Sequence, residues 1–124
     1  MSDELLYGDL SAKIIGAGMK VLNVLKPGLD EKLYERALVI ELRKQDLIVS
    51  TQRNFEVYYD GQFIGTLIPD LIVEEKIIVD TKTVSMFPEH ATAQMIGYLN
   101  ITGMKLGLLM NFKAAKLEWK RIIR

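Results

Sequence analysis

The chain predicts a mixed α/β domain, a sheet with helices packed on it. Three observations predict it. Helical periodicity fills residues 10–45 apart from one break, and alternation replaces it from residue 54. A further helical stretch over residues 88–102 then leads into KLGLLMNF, residues 105–112. A near-continuous apolar run of that kind belongs in a strand covered on both faces.

The elements follow in order. Residues 10–25 read as a helix, with Ser11 a candidate cap and Leu10, Ile14, Gly18, Val21, Leu22 and Leu25 recurring at helical spacing. Pro27-Gly28 breaks it. A second helix spans residues 30–45, with Asp30 as N-cap and Leu33, Ala37, Ile40 and Lys44 on one stripe. Residues 54–59 (NFEVYY) alternate as a strand, and Asp60-Gly61 is a hairpin turn. Residues 62–73 read as the return strand, bent at Gly65 or Pro69. Glu74-Glu75-Lys76 turns the chain into a third strand, residues 77–83. A third helix starts near Pro88 and ends at Gly103. Residues 105–112 and 117–123 complete the sheet, the latter at its edge. The order is α-α-β-β-β-α-β-β.

The 124 residues, 49% of them hydrophobic, suit one domain, residues 1–124, with a single core. A domain this small buries a modest share of its surface, so a homodimer is the expected assembly. The absence of cysteine excludes disulfides and thiolate metal sites. The start MSDELLYGDL lacks a signal-peptide pattern, and no run approaches the roughly 20 apolar residues of a membrane span. A cytoplasmic protein without membrane contact is expected. Sixteen basic and sixteen acidic residues cancel, which argues against coating nucleic acid by bulk charge. The most basic stretch, with Lys113, Lys116, Lys120, Arg121 and Arg124, reads as a solvated face, and Trp119 within it as edge packing. Met86, Met95, Met104 and Met110 read as core filler. The serines lack a partner histidine, so serine hydrolysis is not expected, and the sole His90 reads as a surface or capping residue.

Chemistry concentrates in IPDLIVEEKIIVDTKTV, residues 68–84, where Asp70, Asp80 and Lys82 stand among aliphatic residues. Ionisable groups are seldom buried unless paired or bound to metal. Asp80 and Lys82 share a strand face. Asp70 joins them if a three-residue turn centred on Glu75 pairs it with Asp80. A two-residue turn at Glu74-Glu75 would pair it with Val79 and separate the carboxylates. Converging carboxylates repel, and a hard divalent cation relieves the repulsion. Two carboxylates and a lysine around such a cation form a set suited to phosphodiester hydrolysis.

Pro69-Asp70, then nine residues, then Asp80-Thr81-Lys82, resembles the PD-(D/E)xK nuclease signature. Upstream, Gly28-x-x-Glu31-x-x-Tyr34 resembles the motif of the GxxExxY proteins, a branch of that superfamily. Gln94, Tyr98-Leu99 and the following TG…GLLMNF segment resemble the same branch. The resemblance implies a restriction-endonuclease-like α/β core. It implies Asp70, Asp80 and Glu31 as holders of Mg²⁺ or Mn²⁺, with Glu31 acting directly or through water. Lys82 would stabilise the attacking water or the developing charge, and Gln94 would line the site. Tyr34 reads as a packed aromatic with a bonded hydroxyl. The branch more often carries glutamate where Asp80 stands.

The expected function is therefore Mg²⁺-dependent hydrolysis of DNA by a metal-activated water. Two alternatives stand beside it: a nuclease-fold binding or assembly module with little turnover, and an RNA-directed nuclease. With no added DNA-reading domain in the sequence, specificity would be weak or supplied by a protein partner.

Overall fold

The computed structural model describes residues 5–124. Its elements are α1 (Gly8–Leu25), α2 (Glu31–Lys44), β1 (Val49–Thr51), β2 (Phe55–Tyr59), β3 (Gln62–Leu67), β4 (Leu71–Val73), β5 (Ile77–Lys82), α3 (His90–Thr102), β6 (Leu106–Asn111) and β7 (Glu118–Ile123). The central sheet has five strands in the order β1-β4-β5-β6-β7. Neighbours are antiparallel except β5 and β6, which run parallel. A parallel pair needs a crossover, and α3 supplies it. The architecture is the mixed α/β core that the residue pattern predicts.

Two layers of helix cover the sheet. On one face Leu71, Val73, Ile77 and Val79 meet Ile14, Val21, Tyr34 and Leu38 of α1 and α2. On the other, Ile72, Ile78, Leu109 and Ile122 meet Ala91, Met95 and Leu99 of α3. Both faces are thus dry, which explains why β4, β5 and β6 read as apolar runs without alternation.

Some local expectations are corrected. Residues 62–73 form two strands in two sheets, not one bent strand. Pro69 has no N–H to give a ladder, and the chain leaves the β2–β3 ribbon at Leu67 and enters the central sheet at Leu71. The short β1 pairs with β4 and was not expected from VST, too brief to show a period. The observed order is α-α-β-β-β-β-β-α-β-β.

Ser11 is not a cap. It lies buried inside α1, donates to the Gly8 carbonyl and accepts from Arg121 at 2.6 Å. The cap position belongs to Tyr7, in the left-handed region at φ 51°. Asp30 does occupy the N-cap of α2, without a side-chain hydrogen bond to it. The stripe of α2 is out of phase. Tyr34, Leu38, Val39 and Leu42 are buried, while Leu33 and Ile40 face outward at 44% and 62% exposure. Helix α2 carries apolar residues on two stripes, and only the one bearing Tyr34 meets the sheet.

Met95 and Met110 are core residues as expected, but Met86 is exposed. The basic stretch is not simply a solvated face. Arg121 reaches inward to Ser11 and the Leu6 carbonyl, Lys120 donates to Thr92, and Arg124 donates to the Gly103 carbonyl. Trp119, on edge strand β7, is 41% exposed. No helix among the described residues is long and apolar enough to cross a membrane.

Candidate active site

The register of β4 on β5 decides whether a site exists. Leu71 pairs with Val79, Ile72 with Ile78 and Val73 with Ile77, closed by the three residues Glu74, Glu75 and Lys76. Glu74 and Glu75 both take positive φ, 55° and 57°, which lets the turn close. Continuing that register one step places Asp70 opposite Asp80, on the same face. Asp70 stands just outside the ladder, where its Oδ2 accepts from the Thr81 N–H at 3.4 Å. Its carboxyl lies against that of Asp80.

The environment of Asp70 is hostile to charge. Burial, then the hydrogen bond to Asp80, then the charges of Asp80 and Glu35 push its pKa up to about 8, against a weak opposing pull from the Thr81 N–H. On the neighbouring position of β5 that shares this face, Lys82 Nζ sits 3.1 Å from Asp80 Oδ2, both side chains less than one-fifth exposed.

Glu31 is brought to the pair by the α1–α2 loop. Gly28 adopts φ +114°, a conformation closed to most L-residues. Tyr34 donates its hydroxyl to the Lys26 carbonyl at 2.6 Å and accepts from the Leu29 N–H at 3.0 Å. Its ring stacks on Phe112 at 5.1 Å. Glycine and tyrosine therefore hold the loop from which α2 starts, and Glu31 is the first residue of that helix. Burial foremost, then the charge of Asp80, raises the Glu31 pKa, while Lys82 opposes the rise. Among the described residues, no three His, Asp or Glu side chains are already drawn into one metal-binding cluster. The close acids are Asp70 and Asp80, with Glu31 within electrostatic range of Asp80.

Gln94 joins at one remove. It is exposed on α3, with Nε2 3.5 Å from the Tyr98 hydroxyl. Tyr98 itself feels the site: burial, Asp80 and Asp70 raise its pKa and Lys82 opposes them. Two residues near the pair had no role assigned from the sequence. Tyr98 is one. Glu35 is the other, 5% exposed, paired with Lys32 at 3.3 Å and close enough to bear on Asp70. Both were reachable, since Glu35 and Tyr98 lie four residues after Glu31 and Gln94, on the same helix faces.

A family model described as the PD-(D/E)XK nuclease superfamily matches residues 8–122. The chain belongs to this superfamily. No curated protein matches it, and no solved structure does. The matched span takes in all ten elements up to the last residues of β7. It includes the Pro69-Asp70 and Asp80-Thr81-Lys82 segments that face each other across the β4–β5 turn. A nuclease-like fold is thereby established for the chain, and the arrangement of Asp70, Asp80 and Lys82 at its sheet end is the feature to be explained.

Proposed function

We propose that the chain is a metal-dependent nuclease that hydrolyses phosphodiester bonds of DNA. The observation that carries this reading is the Asp70–Asp80 carboxyl pair with Lys82 against it on one face of β5. The donor set fits a hard cation. Asp70 is driven toward its neutral form by burial and by Asp80, a conflict that a divalent ion between the two would remove. Asp70 and Asp80 would hold Mg²⁺ or Mn²⁺, and Glu31 would add a third carboxylate. When bound, the cation supplies Lewis acidity for attack of water on phosphorus.

The protein's own groups do the rest. Lys82, fixed by Asp80, presents a positive charge where negative charge grows during attack. Glu35 adds a further carboxyl on the α2 side of the site, near Asp70, and Tyr98 with Gln94 offers hydrogen bonds to substrate from the α3 side. Within the superfamily we place the chain in the GxxExxY branch, because Gly28, Glu31 and Tyr34 act together to deliver an acid to the site. We further take it to be cytoplasmic and homodimeric.

The test is a cleavage assay on linear, circular, single-stranded and branched DNA, with RNA in parallel. Cleavage in Mg²⁺ or Mn²⁺ that EDTA abolishes, and that Asp80→Ala and Lys82→Ala each reduce by at least a hundredfold, supports the reading. RNA cleaved in preference to DNA reassigns the substrate. A second reading, a binding or assembly module with little turnover, draws on the β2–β3 ribbon. There Tyr58, Tyr59, Phe63 and Ile64 are all more than half exposed, and such a ribbon suits a protein partner. Binding that survives both substitutions, without cleavage by the unaltered chain, would favour it.

A further inference from the structure

Two cavities open at the end of the sheet that bears the acid pair, the first lined by three cationic side chains and the second by one. The first, about 430 Å³, runs between α2 and β1 and is lined by Lys32, Glu35, Arg36, Arg43, Thr51 and Gln52, among others. The second, about 250 Å³, is lined by Gly28, Thr83, Phe112 and Lys113, among others.

Sheet topology puts them on either side of the pair. β1 and β4 are antiparallel, so the end of β1 lies beside the start of β4, and the Gln52 N–H donates to the Asp70 carbonyl at 3.3 Å. β5 and β6 are parallel, so both finish at that same end, and the Phe112 N–H donates to the Lys82 carbonyl at 2.8 Å. The order across this end of the sheet is first cavity, Asp70 with Asp80 and Lys82, second cavity. The loop bearing Lys113 is pinned there by Asn111. Its Oδ1 accepts from the N–H groups of Lys113 at 3.2 Å and Val84 at 3.1 Å, and its Nδ2 donates to the Val84 carbonyl at 2.8 Å. The first cavity reaches the acids through Gln52, which lines it and is hydrogen-bonded to the Asp70 backbone.

We infer that a polynucleotide strand crosses this end of the sheet, with Lys32 and Arg36 on one side of the acid pair and Lys113 on the other gripping its phosphates. This rests on the nuclease reading and deepens it by naming the path. A chain of zero net charge then binds a polyanion by segregating charge, with cations flanking an acidic centre. From β1 to β6 there are three strand intervals, roughly 14 Å at about 4.8 Å each. The contacts are to backbone and carry no sequence information.

The test is equilibrium binding of a fluorescent oligonucleotide, single-stranded and as its duplex, to the full chain in EDTA across a salt series. Arg36→Ala and Lys113→Ala should each weaken binding several-fold. Each should also flatten the slope of log affinity against log salt by about 0.7 for the single strand or about 0.9 for the duplex. Lys105→Ala, next to the opposite end of β6, should change neither. Unchanged slopes for Arg36→Ala and Lys113→Ala, or an equal loss with Lys105→Ala, overturn the path, as does no binding by the unaltered chain. Cleavage in Mg²⁺ measured alongside separates the two ideas. Wild-type-like binding slopes with cleavage still lost in Asp80→Ala would sink the path and leave the nuclease. Altered slopes without any cleavage would do the reverse.

Discussion

Asp70 is where burial, charge and chemistry meet. Its pKa stands near 8 in the folded chain, against about 3.9 for an unperturbed aspartate. Between those values the folded state keeps a proton that the unfolded state gives up. The contribution to stability is therefore full below the unfolded pKa and lost as pH rises through about 8. In EDTA the melting temperature should fall between about pH 5 and pH 9 by more in the wild type than in Asp70→Asn, whose amide imitates the neutral acid. At pH 8 the variant should be the more stable of the two, by on the order of 1–3 kcal/mol, while cutting nothing. A pH series of thermal melts decides it. Equal pH slopes in the two proteins would mean that Asp70 ionises freely. The pairing of this residue with Asp80 was legible, because turn length and the two-residue strand period determine which faces match. The nearness of Glu35 does not show in the motif, although helical spacing puts it with Glu31 on one side of α2.

At the scale of elements, close approach matters more than capping. Gly107 of β6 lies under α3, and a Cβ added there would collide with the Sδ and Cγ of Met95. Cγ is not the free end of that side chain, so helix and strand must separate. Gly107→Ala should cost about 1–3 kcal/mol by denaturant unfolding. On the proposed function it should also lower DNA cleavage, since α3 carries Gln94 and Tyr98. Adding Met95→Ala should give a double variant more stable than the sum of the single effects predicts, a coupling that a double-mutant cycle measures. Independent, additive costs would show that Met95 is not the obstacle. The helices and the buried strands were readable from period and run length. The break at Pro69 and the phase of α2 were not. A strand leaving one sheet for another keeps its local alternation on both sides of the break. A helix with two apolar stripes reveals which faces the core only once the sheet is in place. Strand β1 is shorter than the window in which any period can be recognised.

The described residues form one five-stranded sheet between two helical layers, together with the two-stranded β2–β3 ribbon, and the candidate site draws on several of these elements: Asp70 from the approach to β4, Asp80 and Lys82 from β5, Glu31 and Glu35 from α2, Tyr98 from α3. The general plan was visible in the sequence because both sheet faces are apolar and each motif falls at an element boundary. The register that pairs Asp70 with Asp80 followed from turn length, whereas the approach of Glu31 depended on the path of the Gly28 loop, which local patterns do not encode. Such a site links cation binding to the stability of the entire domain, since ligands from separate layers come together only in the folded chain. Mg²⁺ at a hundredfold excess over its Kd should stabilise the wild type by about 2.7 kcal/mol, roughly 10 °C in melting temperature for a domain of this size. Differential scanning calorimetry with and without EDTA reads the shift directly. Asp70→Asn combined with Asp80→Asn should abolish it and melt alike in both buffers. An equal rise in the double variant would place the cation elsewhere on the molecule and detach the acid pair from metal chemistry.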